Sequence, residues 1–123
     1  MANELSLSAL VISFAKSGSP TLAATTVPTI TPDIAGAHWM HNAQEIGTSE
    51  EAILLGDIGA GGYVYIRNLS ANFISFRVAT GQANFARLNT GEWMVMRWGS
   101  GATAPYAIAD TAAVNIEIIQ FDA

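Results

Sequence analysis

The chain has 123 residues, 50% of them apolar and only 12% charged. That is one domain's worth of sequence with enough apolar material for a core, which excludes intrinsic disorder. Ten acidic residues against five basic ones leave a formal charge of −5, a poor match for nucleic acid or an anionic membrane, and the absence of cysteine excludes disulfides and thiolate chemistry.

Residues 5–14 open the pattern. Leu5, Leu7, Ala9 and Val11 alternate on one parity, and Leu10, Ile12 and Phe14 occupy the other. A strand with a bulge, or one covered on both faces, fits this. The stretch is too short and too interrupted by serine to cross a bilayer, and no basic leader precedes it, so the protein is expected in solution or on a particle assembled in the cytoplasm. Pro20, Pro28 and Pro32 follow. Each removes a backbone donor and pushes its predecessor toward extended geometry, so residues 22–34 read as an extended arm or edge segment. Fully extended, such a stretch spans roughly 40 Å at about 3.3 Å per residue. Residues 1–36 are therefore taken as an N-terminal strand and arm, and 37–123 as the main domain.

From His38 onward short strands alternate with turns. Strands are predicted at 38–46, 52–57, 63–68, 73–79, 84–88, 92–98, 105–108 and 113–121, with Gly-rich or Asn/Thr/Ser-rich breaks between them. Ile74, Phe76 and Val78 share one face of their strand. Val114, Ile116 and Ile118 point inward on theirs, with Asn115 and Glu117 outward. Trp93, Val95 and Arg97 oppose Met94, Met96 and Trp98. A short helical turn near 110–112 is the one break in this scheme. The reading is all-β: a β-sandwich or jelly-roll-like domain of eight or nine short antiparallel strands behind an extended N-terminal arm. Arginines at 67, 77, 87 and 97 recur at the hairpin repeat length.

Few residues carry chemistry. His38 and His41 share a face only in a helix, and on a strand they part, so no metal site is expected. Glu50 and Glu51 read as solvated carboxylates beside a turn capped by Thr48 or Ser49. Asp33 and Asp57 lack the loop of a calcium site. The stretch 56–62 (GDIGAGG) imitates a phosphate loop, but a strand follows it where a helix N-terminus is required. No Gly-x-Ser-x-Gly elbow occurs. An enzyme is not expected, and neither catalytic residues nor a cofactor is assigned. Trp39, Trp93 and Trp98, with Met94 and Met96, suit a core, a subunit interface or a ligand platform.

From His41 to Phe121 the text resembles small structural proteins of tailed-bacteriophage virions. The carriers are HNAQEIGTSEE at 41–51, LGDI at 55–58, GYVYIRNL at 62–69, FARL at 85–88 with Gly91-Glu92, Arg97-Trp98, and AIADTAA at 107–113. The resemblance implies a virion structural protein, and low charge, an all-β core and an extended Pro-containing arm favour a capsid decoration, or cement, protein acting as a homo-oligomer on the major capsid protein or other virion proteins. A tail, neck or fibre-associated component is the alternative within that group, and a carbohydrate-binding β-sandwich using its tryptophans is the alternative outside it. Val27, Ile30, Ile34, Trp39, Tyr63, Tyr65, Phe73 and Trp98 are the expected interface residues. No nucleic-acid or membrane partner is expected.

Overall fold

Among the described residues, eight strands of the second part of the chain pair in an order that folds one long ribbon onto itself, and two N-terminal strands pair with each other. A computed structural model describes residues 5–32, 34, 36, 38–54, 58, 61–98 and 105–122. The chain divides into two units, Met1–Ile34 and Ala35–Ala123.

In the first unit β1 (Val11–Phe14) pairs antiparallel with β2 (Leu22–Thr26). The ladder continues outward: the Val27 N–H donates to the Leu10 carbonyl at 2.8 Å, and Leu7 and Ile30 exchange both backbone bonds. Leu5 then donates to the Pro32 carbonyl. Ala9 takes a φ of 68°, in the left-handed region, and the register shifts further along, between Ile12 and Phe14, a bulge of the kind that fits the mixed parity of 5–14. From Leu22 to Pro32 the backbone pairs as an edge strand does. What composition did not show is its partner, the chain's own residues 5–14. Pro28 falls between Val27 and Ile30, at a place where the ladder asks for no donor.

The second unit holds β3 (Trp39–Ile46), β4 (Glu51–Ala52), β5 (Gly61–Asn68), β6 (Ile74–Arg77), β7 (Asn84–Leu88), β8 (Trp93–Arg97), β9 (Tyr106–Ala109) and β10 (Val114–Asp122). One sheet has the order β3-β10-β5-β8 and the other β4-β9-β6-β7. The pairs are nested: β6 with β7, β5 with β8, β4 with β9, β3 with β10. A ribbon whose tip is the β6–β7 turn has rolled up, and the pairings β10–β5 and β9–β6 complete the two sheets. This is the jelly-roll arrangement of an antiparallel β-sandwich. At the tip, Gly81 adopts φ 71°, a conformation a side chain would strain.

Alternation decides what lies inside. Val114, Ile116 and Ile118 of β10 meet Val64 and Ile66 of β5 on one sheet and Ile74 and Phe76 of β6 on the other, all essentially inaccessible. Met94, Met96 and Trp98 pack on the margin of this core. Burial on this scale is the main favourable term in folding. Val78 departs from the expected face: β6 ends at Arg77, and beyond it Val78 turns out to solvent, 60% exposed. The residues 110–112 form a bend, with no helix among the described residues. Gly61 and Gly62 belong to β5 rather than to the preceding break. Asp33, Asp57 and the glycines at 56, 59, 99 and 101 lie outside the described residues.

Candidate functional site

β-Strand alternation leaves one side of β3-β10-β5-β8 facing away from the core. The register lines its residues up in rows. One row is Ala43, Glu117, Arg67 and Trp93, and the next is His41, Ile119, Tyr65 and Val95. Trp39 then pairs with Phe121, and beyond a bulge Tyr63 pairs with Arg97. The face is apolar at its centre. Trp39 is 69% exposed, Trp93 48% and Val95 39%, while Tyr63, Tyr65, Ile119 and Phe121 are half-buried by one another. Tyr65 and Trp93 rings meet with centroids 6.3 Å apart at a tilt of 36°, and the Arg97 guanidinium lies 5.4 Å from the Tyr63 ring. Such aromatic and cation–π contacts hold side chains in fixed poses, which lowers the entropy a binding partner must overcome.

Polar groups edge this surface. His41 Nε2 lies 2.8 Å from the Glu117 carboxylate, and the Tyr65 hydroxyl donates to its other oxygen at 3.5 Å. Burial raises the Tyr65 phenol above its ordinary pKa, and the adjacent Glu117 carboxylate raises it further. The third group beside the His–carboxylate couple is therefore a phenol held protonated, a hydrogen-bond donor rather than a nucleophile. His38 engages a different carboxylate: its backbone N–H donates to Asp122 Oδ2 at 2.8 Å and its ring Nδ1 lies 3.0 Å away. The two histidines part, as a strand demands. No cluster of three metal-ligating side chains occurs among the described residues.

Glu50 and Glu51 are not the solvated pair their neighbours suggested. Glu50 accepts from Arg77 Nη1 at 2.7 Å, from the Gly81 N–H at 3.0 Å and from the Thr80 hydroxyl. These bonds, Thr80 first and Arg77 second, hold its carboxyl below the ordinary glutamate range. Glu51 accepts from the Gly47 N–H at 2.9 Å, so a carboxylate closes the turn that Thr48 or Ser49 was expected to cap. The cause is tertiary. Rolling the ribbon brings the β6–β7 tip beside β4, where Glu50 clamps it.

The expected interface residues fall in separate places. Trp39, Tyr63 and Tyr65 share the outer face just described. Phe73 lies on the other sheet, beneath the Arg87 guanidinium at 3.5 Å, beside an open groove of about 420 Å³ lined also by Ser75 and Phe85. Trp98 packs against the core, and its indole N–H donates to the buried Gln120 at 3.1 Å. Val27 and Ile34 are half-buried and Ile30 is 46% exposed, all within the N-terminal unit. Sequence reasoning missed Ile119 and Phe121. Their signal was present: the outward parity of β10 begins with Asn115 and Glu117 but ends with two large apolar residues. No helix among the described residues is long and apolar enough to cross a membrane. Compared with known proteins, the chain matches no protein-family model, no curated protein and no solved structure.

Proposed function

We propose that this chain is a structural protein of a bacteriophage virion: a decoration protein that binds the head shell as a homo-oligomer. The observation that carries the attachment half of this reading is the N-terminal hairpin. Every residue of β1 and β2 is exposed, including Val11, Ile12, Phe14 and Leu22. An isolated two-stranded ribbon is marginal in water, so apolar strands of this kind gain their stability on a neighbour. Strand addition to a sheet edge, with main-chain bonds for affinity and apolar side chains for fit, is the mode this supports. The phage half rests on the resemblance of residues 41–121 to small virion proteins. The acidic balance suits a shell-bound protein that must not adhere to the packaged genome.

The test is sedimentation of the full chain with separated heads and tails of its phage. Saturable binding to heads, weakened when Ile12, Phe14 and Leu22 are changed together to serine, is expected. Binding to tails alone moves the protein to the tail or neck, and binding to neither defeats the virion reading. A second reading is favoured by the exposure of Trp39 and Trp93 on one sheet face: glycan binding by stacking on indole rings. Saturable glycan binding abolished by Trp39→Ala, together with no particle binding, would replace the first reading by the second.

A further inference from the structure

The outer face of β3-β10-β5-β8 carries charges as well as rings, and their arrangement is self-complementary. We propose that this face docks a second copy of itself, about a two-fold axis that runs along the strands between β10 and β5. This gives the homo-oligomer of that reading its contact and rests on it only in that respect, since head binding plays no part.

The register dictates the pairing. Such an axis lays β10 of one copy over β5 of the other, and β3 over β8, with each row facing its own equivalent. Glu117 and Arg67 are cross-strand partners in one chain, so across the axis each Glu117 meets the other copy's Arg67. Four charges then alternate in sign around a square. In the next row Ile119 meets Tyr65, apolar on aromatic. In the last, Phe121 meets Tyr63, and the exposed Trp39 indole meets Arg97, whose guanidinium already lies over a tyrosine ring. Ala43, the smallest side chain of the face, sits opposite Trp93, the largest in its row. Sheets packed face to face keep their strands within about 30° of alignment, which this axis satisfies.

The other in-plane two-fold, across the strands, fails on charge. It would seat the Glu117 carboxylate on the second copy's Phe121 ring and bring no opposite charge to it. Only His41 and Arg67 of its own chain would then offset the water that carboxylate loses, and the second copy would add nothing to it. Charge complementarity therefore selects both the occupant, a second copy, and the orientation. An isologous contact of this kind satisfies each surface with the same surface and closes at a dimer.

The experiment is sedimentation velocity of the full chain from nanomolar to high micromolar concentration, on wild type, Glu117→Arg, Arg67→Glu and an equimolar mixture of the two variants. Wild type should dimerise. Each reversal alone sets like charges against each other and should weaken self-association by about tenfold or more. The mixture should dimerise again as a heterodimer, because Arg at 117 of one copy then faces Glu at 67 of the other, and Arg67 faces Glu117. Circular dichroism of each variant should match wild type, since both positions are on the outer face. A monomeric wild type, reversals that associate as wild type does, or a mixture that fails to recover would each overturn the proposal. A monomer with tryptophan fluorescence shielded from acrylamide would overturn it too, and would put another part of the same chain on the face. None of these outcomes reads head binding, so the sedimentation test with heads and tails stands apart.

Discussion

The two units contain the same kind of ladder and obtain very different amounts of burial from it. In the sandwich, β10 pairs on both edges and hides Val114, Ile116 and Ile118 against the opposite sheet. In the hairpin, β1 and β2 pair with each other and leave every strand residue exposed. Backbone hydrogen bonds are of modest net value because water offers the same bonds to the unfolded chain. What distinguishes the units is apolar area removed from water. The sandwich is therefore the stable body, and the hairpin gains little from burial of its own.

The largest test of that contrast is a large-to-small pair. Phe76→Ala, at a side chain with no exposed surface, should cost about 3–5 kcal/mol in denaturant unfolding. Phe14→Ala, at a side chain 48% exposed, should change the stability of the free chain by less than about 0.5 kcal/mol while weakening particle attachment. A comparable loss at both positions would show the hairpin packed as tightly as the core, and the contrast would fail.

A middle-sized effect is expected at Asn68, the buried amide at the end of β5. Its side chain donates to the Asn72 and Leu88 carbonyls and accepts from the Ser70 N–H. Asn68→Ala strips three backbone groups of their partner and should destabilise the sandwich by about 1–3 kcal/mol. An unchanged unfolding midpoint would mean water replaces the amide freely, and that this end of the sandwich is looser than its burial indicates.

Glu50→Gln sharpens the comparison through pH. The folded carboxyl titrates below its ordinary range, so the clamp on the β6–β7 tip contributes stability above the unfolded pKa and loses it as pH falls through the folded one. Wild type should be more stable than the variant at neutral pH, and the gap should close in acid. A gap independent of pH would show that Arg77, Thr80 and Gly81 recognise shape rather than charge. The smallest effect belongs to His38→Ala: its exposed ring should contribute little to stability at neutral pH, since the backbone N–H of residue 38 keeps the bond to Asp122. A large loss would place the ring, rather than the backbone, in control of the β3 entrance.

Much of the sandwich was legible because alternation is a local signal. Ile74 with Phe76, and Val114 with Ile116 and Ile118, show their buried face within a few residues. The outer face was only half legible. Trp39, Tyr63 and Tyr65 stood out as aromatics on strands, whereas Ile119 and Phe121 follow two polar residues on the same parity and were hidden by them. Trp98 stood out equally and belongs to the core margin, because it shares the inward parity of Met94 and Met96, where its indole reaches Gln120.

Composition and pattern by themselves determined an all-β chain, the positions of most of its strands and the sides of most of them, since these follow from side-chain alternation and from proline and glycine at the breaks; the strand expected at 52–57 is instead the short β4, Glu51–Ala52. Which strands became neighbours was decided only in three dimensions. Nested pairing places Glu50 on the β6–β7 tip thirty residues on, His41 on Glu117, and Arg67 beside Glu117. No local rule encodes those meetings. They arise because rolling a single ribbon into two sheets lets strands far apart in sequence bury one shared face, and the polar residues they carry then meet wherever the register sets them down.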